Sequence, residues 1–266
     1  MAIVKALMIG DVVGEVGLAA LERGLRPLAA EAGADFVVVN GENAANGFGL
    51  TADTLARILG AGADVVTTGN HVWEKRDFWP IMESEERVVR PGNYPRGAPG
   101  RGSVVREKAG VAWAVVNLQG REEMTPIDCP FAAADAAVEA LSAARGEAPL
   151  VLVDFHAESP QEKEALAFHL DGRVAALVGT HTHVQTADAR LLPAGTAYVT
   201  DLGMTGAMDG VIGMDAAICL ERCRTQVPHR MECATGRASI RGVLVAVDTA
   251  TGRAVSIEAF SRASEA

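Results

Sequence analysis

Over its first two hundred residues the chain alternates between short apolar, β-branched runs and longer stretches with helical periodicity. Several runs are apolar at consecutive positions, which is typical of strands covered on both faces. The pattern predicts strands at residues 3–9, 36–40, 64–68, 111–118, 150–155, 174–178 and 197–200. It predicts helices between them at residues 16–32, 51–62, 132–145 and 160–169.

The last of these helices carries a clear start signal. Ser159 is placed as its N-cap, Pro160 stands at the first helical position, and Glu162 completes a capping box. Further on, residues 239–248 and 253–260 alternate between apolar and polar positions around a short polar turn, which predicts a hairpin. Because no linker-like stretch divides the chain, we expect an α/β protein organised as one domain over residues 1–266.

Composition excludes several classes of protein. With 49% hydrophobic and 22% charged residues, the 266-residue chain is not disordered. No apolar run approaches the ~18 residues that a membrane helix requires, so we expect no membrane partner. The net charge of −10 argues against direct binding of long nucleic acids. Cys219 and Cys223 lie one helical turn apart and could form a metal or redox pair, but the cysteine pattern favours reduced thiols and a cytoplasmic location.

Polar residues of one kind follow almost every predicted strand. They are metal-ligand types beside a glycine, and in open α/β sheets ligands bind beyond the carboxyl ends of the strands. We therefore expect these residues to converge on one crevice. The set is Asp11, Glu42, Asn43, Asn70, His71, His156, His181 and His183.

This set offers carboxylate, amide and imidazole donors without thiolate, which suits Mn, Fe or Zn better than Ca or Mg. It contains too many ligands for one ion and fits two ions about 3.5–4 Å apart that share a carboxylate. Taken singly, most members have other interpretations. Asp11 could cap the first helix, Glu42, Asn43 and Asn70 could be turn residues, and His156 could be a buried, hydrogen-bonded histidine. The two-residue spacing of His181 and His183 at a strand end predicts that both rings point the same way, which favours a role in the site.

The motifs, in their order along the chain, resemble those of calcineurin-like metallophosphoesterases. The longer strings are similar to the YmdB-type branch of bacterial cyclic-nucleotide phosphodiesterases, and the match runs from Gly10 to about Gly206. These strings are GDVVG, NGENAANGFG, GNHVW, DFHAE, GTHTHVQTAD and DLGMTG.

The resemblance implies a four-layer α/β/β/α sandwich with mixed sheets around a two-metal centre of Fe or Mn, with Zn as a further option. Asp11, Glu42, Asn43 and His183 would hold one ion. Glu42 would bridge to a second ion held by Asn70, His156 and His181, and His71 would be the general acid.

Three positions depart from the wider superfamily. Val13 stands where a histidine ligand is usual, Glu42 replaces the usual bridging aspartate, and Val72 replaces the acidic residue after the catalytic histidine. The loss of this acidic residue leaves the orienting partner of His71 open, with Glu74 nearby in the sequence. These departures agree with the YmdB-type branch and weaken a protein-phosphatase interpretation.

The implied activity is hydrolysis of small phosphodiesters, above all 2′,3′-cyclic nucleotides, by a metal-activated hydroxide. The alternatives are a phosphomonoesterase or protein phosphatase on the same site, and a metal-bound regulatory protein that acts by binding.

A dinucleotide-binding turn at GDVVG is disfavoured by its glycine spacing and its two acidic residues. Residues 204–206 either line the pocket or form a tight turn. The apolar, Ala-rich helices favour a homo-oligomer.

Overall fold

The computed structural model describes residues 2–143 and 148–264, which form fourteen strands and six α-helices within those ranges. The strands are β1 (Ile3–Ile9), β2 (Asp11–Val12), β3 (Phe36–Asn40), β4 (Val65–Thr67), β5 (Val88–Val89), β6 (Ser103–Lys108), β7 (Val111–Gln119), β8 (Leu150–His156), β9 (Ala176–Thr180), β10 (Arg190–Leu191), β11 (Ala197–Val199), β12 (Met204–Ala207), β13 (Ala238–Asp248) and β14 (Arg253–Ser264). The helices are α1 (Gly14–Ala32), α2 (Ala52–Ala61), α3 (Trp79–Ser84), α4 (Pro130–Ala143), α5 (Pro160–His169) and α6 (Ala216–Thr225).

The strands form two mixed sheets. In the first, the order is β2-β12-β13-β1-β3-β4-β5, and β14 pairs with the other side of β13. β1, β3, β4 and β5 run parallel, whereas β13 is antiparallel to β1. In the second sheet, the order is β10-β11-β9-β8-β7-β6, with a parallel centre and an antiparallel strand at each edge.

Three apolar layers hold the sheets and helices together. One lies between the two sheets, where the rings of Phe36 and Trp113 stack with centroids 5.1 Å apart. The second lies between the first sheet and α1 and α2, and the third between the second sheet and α4 and α5. The layers therefore run helix, sheet, sheet, helix, and the predicted four-layer sandwich with mixed sheets is confirmed.

Most predicted elements lie within a few residues of the observed ones, and the hairpin forms as β13 and β14. The predicted end of α4 at Arg145 lies outside the described residues. The capping box is half right: the Ser159 hydroxyl accepts from the backbone N–H of Glu162, but the Glu162 carboxylate accepts from the backbone N–H groups of Arg121 and Glu122 instead of Ser159. No described helix is long and apolar enough to cross a membrane.

Candidate metal centre

The carboxyl ends of β3, β4, β8 and β9 meet at one edge of the sandwich, beside β2. Asp11 begins β2, and Glu42 and Asn43 follow β3 directly. Asn70 and His71 follow β4, His156 ends β8, and His181 and His183 follow β9. All eight residues that the sequence predicts for the site thus come from strand ends at this edge, as parallel topology requires.

Four donor atoms crowd together at the middle of this edge. The Nε2 atom of His156 lies 2.9 Å from Asn70 Oδ1, 3.0 Å from Glu42 Oε1 and 3.0 Å from His181 Nδ1. Glu42 and His156 are almost completely buried. We call Glu42, Asn70, His156 and His181 the His156 group.

The hydrogen bond of His156 Nδ1 sets the tautomer of its neutral ring. The Thr180 hydroxyl donates to Asp154 (2.7 Å), so at 2.9 Å it accepts a proton from His156 Nδ1. In the neutral ring, His156 Nε2 therefore faces the oxygens of Glu42 and Asn70 with a lone pair, and such a set of donors suits a cation. His181 Nε2 lies 3.2 Å from Glu158 Oε2.

The electrostatics of the His156 group also favour a bound cation. Burial alone would lower the pKa of His156, but Glu42, Asp11 and Asp154 raise it to about 9, so an additional positive charge is favoured here. Burial would raise the pKa of Glu42, but His156, with His71 and His181, lowers it to about 2. Burial lowers the pKa of His181 to about 3, which keeps its lone pair available at neutral pH.

A second set of donors lies next to Glu42, whose Oε1 accepts from Asn43 Nδ2 at 3.2 Å. Asp11 Oδ1 and Asn43 Oδ1 are buried without a hydrogen-bond partner. His183 Nε2 lies 3.9 Å from Asp11 Oδ1 and 3.0 Å from Asn43 Nδ2, and His183 Nδ1 donates to the carbonyl of Ile212 at 2.8 Å. Burying unpaired oxygens costs about 1–3 kcal/mol each, which a bound cation would offset. We call Asp11, Asn43 and His183 the His183 group.

Gly69 forms the floor beneath the His156 group. A Cβ atom there would lie 2.2 Å from Glu42 Oε2 and 2.4 Å from His156 Nε2. A larger residue would therefore fill the space in which the donor atoms meet, and the cradle and its donors fit a metal ion.

A buried polar network supports the His156 group from below. The Asp154 carboxylate accepts hydrogen bonds from the Thr67 hydroxyl, the Thr180 hydroxyl and, at 3.0 Å, the Asn40 amide. Asn40 Oδ1 in turn accepts from the backbone N–H of Glu42 at 3.2 Å. Because these residues belong to both sheets, the network fixes the two sheets relative to each other directly beneath the centre.

The loop that carries His181 and His183 is held by a buried ion pair. Lys163 Nζ donates to Asp201 Oδ2 at 2.8 Å, and the backbone N–H and hydroxyl of Thr182 donate to the same oxygen at 3.2 and 2.8 Å.

The prediction that the rings of His181 and His183 point the same way is wrong. β9 ends at Thr180, and His181 (φ 99°) and His183 (φ 65°) have left-handed backbones that aim the rings into different groups.

His71 lies at the exposed rim of the centre. Its backbone N–H donates to Glu42 Oε2 at 3.3 Å, and its ring packs edge-on against Phe48. Its Nδ1 is 3.4 Å from the carboxylate of Glu74, the acidic residue that lies nearby in the sequence.

A profile of the family described as YmdB-like protein matches residues 7–260 of the chain. The chain belongs to the YmdB-like family. It is 44% identical over 254 residues, 96% of this chain and 95% of the relative, to the 2′,3′-cyclic-nucleotide 2′-phosphodiesterase of Bacillus subtilis.

Two crystal structures share the fold of this YmdB-like chain. A hypothetical protein from Thermus thermophilus is 40% identical with a TM-score of 0.91, covering 98% of this chain and 100% of that one. A structure from Mycoplasma pneumoniae, described as a novel phosphatase, is 31% identical with a TM-score of 0.92, covering 100% of this chain and 95% of that one. The resemblance to a phosphoesterase family, inferred from the motifs, is confirmed.

Some alternatives for single residues do not hold in this YmdB-like chain. Asp11 does not cap α1, because the N-cap is Val13 and makes no side-chain hydrogen bond. Residues 204–206 do not form a tight turn. They belong to the buried strand β12, in which Met204 pairs with Asp11. Among the described residues, clustered metal-ligand side chains include no cysteine.

The residues that support the centre were not foreseen from the sequence. Asp154 had a visible signal, because a carboxylate inside the apolar run LVLVDFH must find buried partners. Lys163, Asp201 and Ile212 had none, since their partners are distant in the sequence.

Proposed function

We propose that this chain is a metal-dependent phosphodiesterase that hydrolyses 2′,3′-cyclic nucleotides. One observation carries the proposal: four nitrogen and oxygen atoms of the His156 group, all of metal-ligand type, face one another over the Gly69 floor, beside a histidine at the rim. The name of the B. subtilis relative supports the choice of substrate.

In this proposal two ions bind on either side of Glu42. Asp11, Glu42, Asn43 and His183 would hold one, and Glu42, Asn70, His156 and His181 the other. Their mixed nitrogen and oxygen donors suit Mn, Fe or Zn. When bound, such ions neutralise phosphoryl charge and lower the pKa of water, so that a nucleophile is available at neutral pH.

His71 would act as the general acid. Its position at the rim leaves its ring within reach of a bound ester, and its Nδ1 lies 3.4 Å from the Glu74 carboxylate. The other ring nitrogen, Nε2, would then donate a proton to the leaving ribose oxygen. Phe48 limits rotation of the ring by its edge-on contact.

A small ester fits the site better than a long polyanion. The centre lies among buried carboxylates on a chain of net charge −10, so a long phosphate backbone would be repelled unless each charge met a cation. In a 2′,3′-cyclic nucleotide the leaving oxygen stays tethered to the ribose, and the product is a nucleoside monophosphate.

The test is turnover of 2′,3′-cyclic AMP by manganese-reconstituted protein, with chelated protein as the control. We expect metal-dependent release of a nucleoside monophosphate. We also expect His71→Ala to retain its metal by elemental analysis while kcat falls by about 10²–10⁴-fold, the usual contribution of a general acid. Full activity of His71→Ala on this ester would contradict its role.

The phosphatase description of the M. pneumoniae structure gives a second candidate, a phosphomonoesterase on the same centre. A matched pair of aryl phosphate monoester and diester, tested on the same reconstituted protein, separates the two. Preference for the monoester, with no turnover of the cyclic nucleotide, would favour the phosphomonoesterase.

A further inference from the structure

The carboxyl end of β7 lies beside the His156 group but supplies no donor to it. Its last residue, Gln119, is paired in register with His156 across the parallel β7–β8 ladder. Neighbouring strands lie about 4.8 Å apart, and paired residues point to the same face of the sheet. Trp113 and Val115 of β7 pack in the layer between the two sheets, so Gln119, four residues after Val115, faces that layer as well. The carboxamide of Gln119 therefore stands next to the His156 ring at the edge where the site residues meet.

Gln119 carries a buried donor without a partner. Its side chain is fully buried, and its Nε2 atom has no hydrogen-bond partner among the described residues. The buried atoms that share this property include Asp11 Oδ1 and Asn43 Oδ1 of the His183 group. Leaving a buried N–H group unpaired is costly, and native proteins rarely do so. An unpaired donor at this edge therefore indicates a ligand atom that accepts a hydrogen bond.

The rest of Gln119 is held in place from two sides. Its backbone N–H donates to Asn93 Oδ1 at 2.9 Å, and its carbonyl accepts from Asn93 Nδ2 at 2.7 Å. Its Oε1 accepts from the Tyr94 hydroxyl at 3.1 Å, and the Tyr94 ring packs edge-on against Trp73, two residues after His71 in the chain. Nε2 is thus a fixed donor that needs no reorganisation when a ligand arrives.

The neighbouring buried cations are already engaged, which leaves an amide to meet an anionic ligand here. Arg90, directly after β5, donates to four backbone carbonyls within residues 91–100, and Lys163 donates to Asp201. A neutral N–H group can bind an anionic oxygen, and hydrogen bonds with one ionised partner are roughly twice as strong as neutral ones. The oxygen of a phosphoryl group has the acceptor chemistry that Nε2 lacks.

We propose that Gln119 is a further substrate-binding residue, whose Nε2 donates to a non-bridging phosphoryl oxygen of the ester. This role rests on the proposed function, because it takes the phosphoryl group to bind at the His156 group. Asn93 and Tyr94 are positioning residues that act through Gln119. A water molecule on Nε2 would also satisfy the donor, but it would give Gln119 no part in phosphate affinity.

The experiment titrates inorganic phosphate into the metal-loaded full-length protein by calorimetry, so that binding is measured without turnover. Gln119→Met keeps the length of the side chain and removes the donor. We expect phosphate to bind at least tenfold more weakly to this variant, the usual weight of a hydrogen bond to a charged group. Metal content by elemental analysis should be unchanged. The ligand-free variant should unfold at as high a urea concentration as the wild type, because the amide that it loses includes an unpaired donor.

Gln119→Glu separates binding of the ligand from positioning of Tyr94. Its carboxylate still accepts from the Tyr94 hydroxyl, but it has no N–H group and adds negative charge beside the ester. Above neutral pH we expect phosphate to bind even more weakly than to Gln119→Met. If Gln119 only held Tyr94 in place, Gln119→Glu would bind phosphate as the wild type does, and that result would overturn the proposal.

Trp113→Phe is the matched control. Trp113 Nε1 is another buried donor without a partner in the described part of the chain, and it lies six residues earlier on β7, about 20 Å from Gln119. Its removal should leave phosphate affinity unchanged.

Turnover of 2′,3′-cyclic AMP by the wild type, measured alongside, keeps the two hypotheses apart. Equal phosphate affinity in the wild type and both Gln119 variants would mean that Nε2 holds water only. The proposal for Gln119 would then fail, while turnover by the wild type would leave the proposed function standing. Phosphate binding that depends on Gln119, without turnover of the ester, would support the Gln119 contact and contradict the proposed function.

Discussion

The His156 group, which contains Glu42, and the neighbouring His183 group are built differently. Around His156 the donor atoms lie 2.9–3.0 Å from one ring nitrogen. Around His183 the spacing reaches 3.9 Å, and two buried oxygens have no partner. The donor atoms of the His156 group are therefore in mutual contact without a bound ion, whereas two oxygens of the His183 group lack a partner until an ion binds.

The difference follows from what stands behind each histidine. His156 ends a fully buried strand, and its Nδ1 is anchored through Thr180 to Asp154 between the sheets. His183 lies in a loop with a left-handed backbone, and its Nδ1 donates to the carbonyl of Ile212, in the segment between β12 and α6. Rigid strand ends give one group its precision, and a peripheral segment completes the other.

The largest effect should come from removing the two histidines separately. We expect His156→Ala to lose most of its bound metal and to remain depleted in excess metal, because one atom contacts every other donor of its group. His183→Ala should lose part of its metal and recover it when the metal concentration is raised. Elemental analysis after dialysis at two metal concentrations measures both.

His169→Ala is the matched control for this comparison. His169 pairs with Asp135 on the surface, at 2.9 Å, and its removal should leave metal content unchanged. Equal and equally reversible losses in the two site variants would show that the two groups do not differ in rigidity.

A smaller effect should follow from breaking the ion pair that holds the loop of both histidines. Lys163→Met leaves the fully buried Asp201 without its cation, and removing one partner of a buried pair costs about 3–5 kcal/mol of unfolding free energy. Urea denaturation measures it. Lys5→Met is the control, since Lys5 Nζ donates only to the Ala32 carbonyl and should cost about 1 kcal/mol. A similar loss of unfolding free energy in the two variants would contradict a stabilising role for the Lys163–Asp201 ion pair.

The sequence predicts the central elements of the fold well, because their burial appears directly in their composition. β1, β3 and α5 have the expected bounds, and all eight site residues reach one edge. The elements missed are those whose stability does not come from a local pattern. β6 is an edge strand after a Pro/Gly-rich stretch, and α6 has no continuous apolar face.

The supporting residues of the site show the same limit. Asp154 stands out within its apolar strand, but its donors Asn40 and Thr67 lie 114 and 87 residues away, and the sequence does not join them. The orientation of His181 and His183 depends on two left-handed backbone positions that no local residue preference indicates, because histidine rarely adopts them.

The smallest effect tests whether the His183 group depends on the backbone of the peripheral segment or on its side chains. Ile212 has a left-handed backbone (φ 48°) and is half exposed, and its carbonyl accepts a hydrogen bond from His183 Nδ1. Ile212→Gly relieves the backbone strain of the folded state but increases the conformational entropy of the unfolded chain. Because these effects oppose each other, the unfolding free energy should change by less than about 1 kcal/mol. The metal content should be unchanged. Gly213→Ala should cost more, because its Cβ would lie 2.9 Å from Val13 at a φ of 87°. Loss of metal in Ile212→Gly alone would mean that the side chain itself holds His183 in place.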